Sequence, residues 1–420
     1  MTDPASFLRN LFDRAVEVAD PMQSLKEALP PRPAGRLVVI GAGKASARMA
    51  EAVEVEYGPC DGLVITRYGY ARPCEGIEIV EAAHPVPDAA GEAATKRMLE
   101  LVDGLGEDDF VLALISGGGS ALLSAPAGNI TLEEKQALTQ ALLASGAPIG
   151  DINGIRKQIS AVKGGNLAAR VHPAKMLALM ISDVPGDNPS DIASGPTVGH
   201  EGDAEKAIET LKTWGVTPAQ SIADYLVSGV DPVRPNDPRL AGVENVIYAA
   251  PSQSLAAAAE LAQSAGIETR LLGDALEGEA RDVACAHAAL AREVQAGLSE
   301  GDAPVVLLSG GELTVTRTGN GVGGPNAEYS LALALALEGA EGIDAIACDT
   351  DGVDGAAEVA GAIIAPDTLA KAAECGRDAA AALQNNDAHG FFGDLGDQVV
   401  PGPTLTNVND FRAILCRYVG

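Results

Sequence analysis

Apolar residues along this chain fall into two alternating patterns. Short runs of valine, leucine and isoleucine read as buried strands, and longer stretches with apolar residues three and four apart read as helices. Near the N-terminus, Asp3-Pro4 can cap a helix on which Phe7, Leu8, Leu11, Phe12, Ala15 and Val16 recur at helical spacing. Pro30-Pro31-Arg32-Pro33 ends that region. The pattern then predicts a strand over 36–40, a helix over 44–57, strands over 62–66 and near 77–81, a helix over 89–103 and a strand over 110–115. Helices over about 131–145, 151–161 and 165–171 precede a strand over 176–182, and two more helices fill about 203–228. Alternation of this kind implies βαβ units and a doubly wound, mainly parallel, Rossmann-like sheet. Gly229 to Pro238 is punctuated by Pro232, Pro235 and Pro238 and reads as a linker. A second α/β pattern follows. It has a strand over 244–249, a helix over 252–265, a strand over 268–273, a long helix over 278–299 and strands near 304–309 and 312–317. A helix over 326–338, a strand over 343–348, a helix over 375–384, an Asp- and Gly-rich loop and a strand over 411–416 complete it. The chain therefore reads as two α/β domains, residues 1–235 and a smaller one over 236–420, with no fixed-period repeat.

Three of the predicted strands run into glycine turns. Phe110 to Ile115 leads into Ser116-Gly117-Gly118-Gly119-Ser120, Arg36 to Ile40 into Gly41-Ala42-Gly43-Lys44-Ala45-Ser46, and Val305 to Leu308 into Ser309-Gly310-Gly311-Glu312. Glycines let backbone N–H groups converge on an anion, and serines add hydroxyl donors. Three such turns in one chain suggest a polyphosphate ligand held by several loops, expected in the cleft between the two domains. The Gly41–Ser46 turn lacks P-loop spacing. It is also a poor dinucleotide fingerprint, because Ser46 stands where the third glycine belongs and the next strand does not end in an acid; Arg67 keeps an NADP reading open. What remains is a lysine, Lys44, at a helix N-terminus beside two glycines, which suits an anion.

Arg156, Ser160 and Lys163 fall at i, i+4 and i+7 of a helix-like stretch and so would share one face as a carboxylate or phosphate clamp. The loop Ser182 to Thr197 places Asp183, Asp187 and Asp191 close together, hard oxygen ligands that suit Mg²⁺ carried with a nucleotide. Asp349-Thr350-Asp351-Gly352-Val353-Asp354-Gly355 is a similar acidic turn without the length or final Glu of an EF-hand. Acids in turns also form Asx-turns, so each loop admits that reading too. The five histidines show no zinc-site spacing, and no G-x-S-x-G elbow is present.

Charge narrows the partners. With 58 acidic and 29 basic residues the formal net charge is −29, which argues against nucleic acid and anionic membrane surfaces. Any anionic ligand would need a local basic pocket inside a negative field. The greasiest segment, Tyr329 to Leu337, is too short to span a bilayer and reads as a core helix. The six cysteines show no C-x-x-C, so reduced thiols in a cytoplasm are expected; Met1 to Ala5 do not start a signal peptide.

Taken together, the loops resemble the class II glycerate kinases, the glycerate 2-kinase family with a MOFRL-type C-terminal domain. The matching stretches are Gly41–Ser46, His84-Pro85-Val86-Pro87-Asp88, Ser116–Ala121, Ile155–Gly165, Ser182–Asp187 with Ser194–Thr197, Ser309–Glu312, Gly323–Glu328 and Thr350–Gly355. The resemblance implies an ATP- and Mg²⁺-dependent phosphorylation of D-glycerate on its 2-hydroxyl, with glycine loops holding phosphate. On that basis Lys44 would meet the transferring phosphoryl group, within a phosphate cradle of Gly43, Ser46, Ser116, Gly117, Gly118, Gly119, Ser120, Ser309, Gly310, Gly311 and Asn326. Arg156 and Lys163 would hold the glycerate carboxylate or nucleotide phosphates. Some of Asp183, Asp187, Asp191 and Glu312 would hold Mg²⁺, and Asp351 would orient the attacking hydroxyl. Many family members carry an arginine where this chain has Pro325, so that contact is not carried over. Proline-containing versions resemble the branch often labelled hydroxypyruvate reductase, which makes an NAD(P)H-dependent reductase the alternative. A non-catalytic phosphometabolite-binding module is a third reading. The oligomeric state, a homodimer among the options, is left open by the sequence.

Overall fold

The computed structural model describes residues 3–420. The chain divides into two compact units that do not follow chain order. One comprises residues 24–182 and 187–248; the other comprises residues 1–23, 183–186 and 249–420. The division thus falls at 248/249, beyond the linker read at 229–238, and the first helix belongs with the C-terminal half.

The first unit is built on β1 (Leu37–Ala42), β2 (Asp61–Arg67), β3 (Ile77–Ala82), β4 (Phe110–Ile115), β5 (Lys175–Ile181) and β6 (Val243–Ala249). Their spatial order is β3-β2-β1-β4-β5-β6, and the pairs from β3 through β5 are parallel. This is the doubly wound order expected from the βαβ alternation. Strand β1 is buried throughout, and β4 except at its first residue. Such continuously apolar strands need cover on both faces, as parallel sheets require. A helical cluster hangs from this sheet. The helices Leu132–Ala144, Ile149–Gln158, Ala204–Thr213 and Gln220–Val227 share a core that includes Leu138, Leu142, Ile152, Ile155, Leu211 and Ile222. A capping box between Thr131 and Glu134 starts the first of them. Trp214 Nε1 donates to Asp151 Oδ2 at 2.8 Å and ties the second to the third.

The second unit holds a mixed sheet. It uses β7 (Glu268–Gly273), β9 (Val305–Gly310), β11 (Ile343–Asp349), β12 (Gly361–Ile364), β13 (Gln398–Val399) and β14 (Asp410–Cys416), in the order β13-β12-β11-β14-β9-β7. The pairs are antiparallel except β7 with β9. A separate pair joins β8 (Gly278–Glu279) to β10 (Leu313–Thr314). The strand expected near 312–317 is thus only two residues long, and the apolar turns that form β12 and β13 were not read as strands. Alternation along each strand fills two cores. Val305, Leu307, Ile414 and Cys416 face the helices Ala280–Ala296 and Pro325–Leu337, whereas Val306, Leu308, Phe411 and Ala413 face the helices Pro4–Ala19 and Pro251–Ser264. Leu8, Leu11, Phe12 and Ala15, one stripe of the first helix, are fully buried in the second of these cores. That burial is why the N-terminal helix joins the C-terminal unit. The helix Pro325–Leu337 is buried on nearly every side, which accounts for its leucine–alanine sequence. Among the described residues no helix is long and apolar enough to cross a membrane.

Candidate functional site

In a doubly wound sheet the crevice opens where the strand order reverses, outside the carboxyl ends of the strands on either side. Here those strands are β1 and β4, and the two glycine turns read from the sequence leave their ends. The turns are tied to each other. Lys44 N donates to Gly117 O at 2.8 Å and Ala45 N to Ser116 Oγ at 3.1 Å. Ser46 Oγ donates to Leu114 O at 2.9 Å and lies 3.1 Å from Ser116 Oγ. Thr66 Oγ1, at the end of β2, donates to Gly43 O at 3.1 Å. Ser46 and Ser116 are fully buried in this lattice. Expected as phosphate contacts, they instead fasten one loop to the other, because the close approach of β1 and β4 leaves no room around them.

Lys44, by contrast, is half-buried, and it converges with His84 and Gly118. A Cβ placed on Gly118, whose φ is +78°, would lie 3.0 Å from His84 Cδ2 and 3.2 Å from Lys44 Cγ. The loop Gly118–Ser120 therefore passes directly beside the lysine and the imidazole. On its other side, Ser120 Oγ lies 2.6 Å from Ser194 Oγ, and a Cβ on Gly119 would meet Ala193 Cβ at 2.7 Å. Ala193 and Ser194 have φ of +52° and +63°. Left-handed backbone at two successive non-glycine residues persists only where the surroundings fix it, and it concentrates at functional sites. In the sequence His84 and Ser194 stand out only as members of motifs; adjacency to the glycine turns, which exists only in three dimensions, gives them a place.

The clamp expected at Arg156, Ser160 and Lys163 forms by a different route. The helix ends at Gln158, and Ser160 makes a bridge with Pro126, so the three residues share no helical face. Arg156 and Lys163 still meet. Arg156 Nη2 donates to Ser120 O at 3.5 Å, and Lys163 Nζ donates to Ser120 O at 2.8 Å and Leu123 O at 3.2 Å. Lys163 is fully buried, with its ammonium on the backbone of the glycine turn. Burial, with Lys135, Arg156 and Lys157 nearby, holds its pKa well below the ordinary lysine value. Lys157, which the sequence did not single out, donates to Ser190 Oγ at 2.7 Å and lies 3.8 Å from Asp191 Oδ1. It lines a cavity of about 340 Å³ with Asn153, Ser190, His200 and Lys206.

The acidic loop is engaged largely with the protein itself. Asp183 Oδ2 accepts from Asn407 at 3.0 Å, and Asp191 Oδ2 accepts from Asn188 at 3.0 Å. Among the described residues no three His, Cys, Asp or Glu side chains gather as a metal-holding group. Asp187, with φ +52°, keeps a buried Oδ1 that has no hydrogen-bond partner. One free carboxylate oxygen fits Mg²⁺, which takes one or two carboxylates and completes its shell with water and substrate phosphates.

In the second unit the carboxyl ends of β7, β9 and β11 and the start of β14 share one edge. The turn Ser309–Glu312 lies there, clasped by Arg412. Its guanidinium donates to Gly310 O at 3.1 Å, Gly311 O at 2.6 Å and Asp410 Oδ2 at 2.7 Å, and it stacks 5.5 Å from the Tyr329 ring. Asn326 Nδ2 donates to Asp410 Oδ1 at 2.6 Å, while Asp354 accepts from Asn326 N at 3.0 Å and Ala327 N at 2.9 Å. Asp354 thereby caps a helix whose own N-cap, Gly324, has no side chain to offer. Pro325 occupies the first helical position, where its missing N–H costs nothing. Burial pushes Asp410 up to about 6 in spite of Arg412 and Asn326. Asp351, expected to orient the attacking hydroxyl, is fully buried, and its Oδ1 accepts from Val353 N at 2.8 Å. It is an Asx-turn residue that shapes the loop. Glu312 is exposed on its turn.

Comparison with known proteins agrees with the motifs. Residues 7–227 match a family model described as a domain of unknown function (DUF4147), and residues 305–410 match the MOFRL family. A D-glycerate 2-kinase of Thermotoga maritima is 38% identical, covering 98% of each chain. A protein of Agrobacterium vitis named "Putative hydroxypyruvate reductase" is 50% identical over 97% of this chain and 93% of its own. The solved structure of glycerate kinase from Thermotoga maritima superposes with a TM-score of 0.89 at 37% identity, covering 98% of this chain and 99% of that one.

Proposed function

Because the chain belongs to the glycerate kinase family of MOFRL type, we propose that it is a D-glycerate 2-kinase that uses ATP and Mg²⁺ and releases 2-phosphoglycerate and ADP. The observation that carries this reading is the convergence of Lys44, His84 and the Gly118–Ser120 turn at the switch point between β1 and β4. Phosphoryl transfer asks a protein chiefly for positioning and charge neutralisation. Lys44 supplies a positive charge for the oxygens of the moving group. The turn supplies backbone N–H donors fixed by the bonds to Ser120 O. Arg156 adds a planar cation beside Ser120, suited to a carboxylate. ATP would supply the phosphoryl group when bound, and Asp187, whose Oδ1 has no hydrogen-bond partner, would share its Mg²⁺.

The Agrobacterium vitis name favours a second reading, reduction of hydroxypyruvate with NAD(P)H. The β1 turn speaks against it. Ser46 fills the place of the third fingerprint glycine and is buried against Leu114, and β2 ends in Thr66-Arg67 with no acid for a ribose. Incubating the protein with Mg-ATP and D-glycerate, and separately with NAD(P)H and hydroxypyruvate, decides between them. Glycerate-dependent ADP release supports the kinase. NAD(P)H consumption at a comparable rate without ADP release refutes it.

A further inference from the structure

Three cations surround the five-residue segment Ser120–Ser124. Each comes from a different part of the first unit. Lys135, on the helix Leu132–Ala144, donates from Nζ to Ser124 Oγ at 3.2 Å. Lys163, in the turn that follows Ser160, donates to Ser120 O and Leu123 O. Arg156, on the helix Ile149–Gln158, reaches Ser120 O and, at 3.4 Å, Asn153 Oδ1, and its buried Nε has no partner. All three side chains are buried or nearly so, and all their hydrogen-bond acceptors are neutral. Among the described residues none of them makes an ion pair. Lys157, beside them, has Asp191.

A buried cation normally sits against a carboxylate. This chain carries 58 acidic residues, so carboxylates were not scarce. Three like charges on one short segment raise one another's cost; Glu92 offsets it in part at Lys135, and an opposite charge from outside would offset the rest. The segment they surround is the glycine turn beside Lys44. We propose that Lys135, Arg156 and Lys163 form a buried cation triad completed by an oxyanion of the ligand, a carboxylate or a phosphate, bound over Gly118–Ser120, and that Lys135 is a positioning residue of this site. The location at the Lys44 turn rests on the kinase reading; the missing counter-charge does not.

The pH dependence follows with a definite sign. Without ligand, burial and then Arg156 hold Lys135 down to about 8, with Glu92 opposing. Lys163 is held down by burial, by Lys135, by Arg156 and by Lys157. A bound oxyanion favours the charged form and raises these values. Below about pH 8 Lys135 is charged in both states and contributes to binding in full. Above it binding must take up a proton, so affinity falls by up to about tenfold per pH unit until the ligand-bound value is passed.

The test is titration calorimetry of the full chain, without metal, using D-glycerate, inorganic phosphate and ATP as separate probes at about pH 7 and about pH 9.5. Buffers of different ionisation enthalpy report proton uptake. The wild type should bind at least one probe, take up a proton at about pH 9.5, and weaken with rising pH. Lys135→Met should bind roughly tenfold more weakly at pH 7 and lose the steep fall. Lys135→Arg, charged throughout, should keep its affinity at the higher pH, a rescue that a packing role would not produce. Response to D-glycerate alone assigns the triad to the carboxylate; response to phosphate and ATP alone assigns it to phosphate. Absence of proton uptake in the wild type overturns the proposal even if Lys135→Met fails to fold. So does a Lys135→Met protein that binds like wild type. If turnover is absent yet binding with proton uptake persists, the kinase reading fails and the triad stands.

Discussion

Gly43→Ala isolates the close approach of β1 and β4 on which the site is built. The Gly43 φ is +150°, and a Cβ there would lie 2.0 Å from Ser116 Oγ, 2.6 Å from Ser116 O and 2.8 Å from Ser116 C. Left-handed backbone at an L-residue costs about 1–2 kcal/mol. Forcing extra volume into a packed site costs about 1–3 kcal/mol more. The sum, about 2–5 kcal/mol, corresponds to a fall of roughly 4–20 °C in the melting temperature of a unit this size. Two of the three clashes are with backbone, so removing the hydroxyl in a Gly43→Ala/Ser116→Ala double variant should restore little. Gly69→Ala is the control: its φ is +83° but nothing lies within 4 Å of the added carbon, so only the backbone cost remains. Activity should suffer beyond stability, because displacing Ser116 moves Gly117 and with it the Lys44 backbone. A misplacement of about 1 Å at a reacting centre costs on the order of 10²-fold in rate. Differential scanning calorimetry and steady-state kinetics read both effects. A Gly43→Ala protein that melts like Gly69→Ala and turns over normally would refute the argument.

Three further outcomes are expected. Lys44→Ala should lower kcat roughly 10²–10³-fold with little change in melting temperature, as for loss of one electrostatic donor; near-normal turnover would make it a solvated side chain. Asp187→Asn should raise the Mg²⁺ concentration for half activity while Asp191→Asn titrates like wild type, and EDTA should abolish activity until Mg²⁺ is restored. Burial, aided by Arg412, holds His287 down to about 4 from an ordinary value near 6.5. Its stabilising contribution is therefore complete above about pH 6.5 and is lost as pH falls toward 4, so His287→Gln should flatten the stability–pH curve in that window. An unchanged slope in chemical denaturation would show that His287 is not the group responsible.

Much of the fold was legible because its strands are apolar runs with clear ends: 110–115 and 268–273 were read with the bounds that β4 and β7 have. Partnership was not legible. Periodicity shows that Leu8, Leu11 and Phe12 face a core, but nothing local says that the core lies in the C-terminal unit. Short elements were lost for the same reason: β12 has four residues and β13 two, too few for a period to declare itself. In the site, glycine turns after strands marked Lys44 and Gly118, and the fold sets the two turns side by side. Helical spacing misled at Arg156 and Lys163, because the helix stops at Gln158 and Lys163 arrives by a turn. Residue type also failed to separate ligand-facing donors from fasteners. Ser46 and Ser116 look like phosphate contacts in sequence and are buried against each other in space. Lys135 belongs to no motif and gains meaning only from the two cations that meet it.

Phosphorus NMR of the product tests most directly whether the phosphoryl group goes to the 2-hydroxyl of D-glycerate. With Mg-ATP and D-glycerate the wild type should give ADP and 2-phosphoglycerate in equal amounts, and Lys44→Ala should give neither at a comparable rate. A product phosphorylated on the 3-hydroxyl, or no glycerate-dependent ADP at all, would contradict the account.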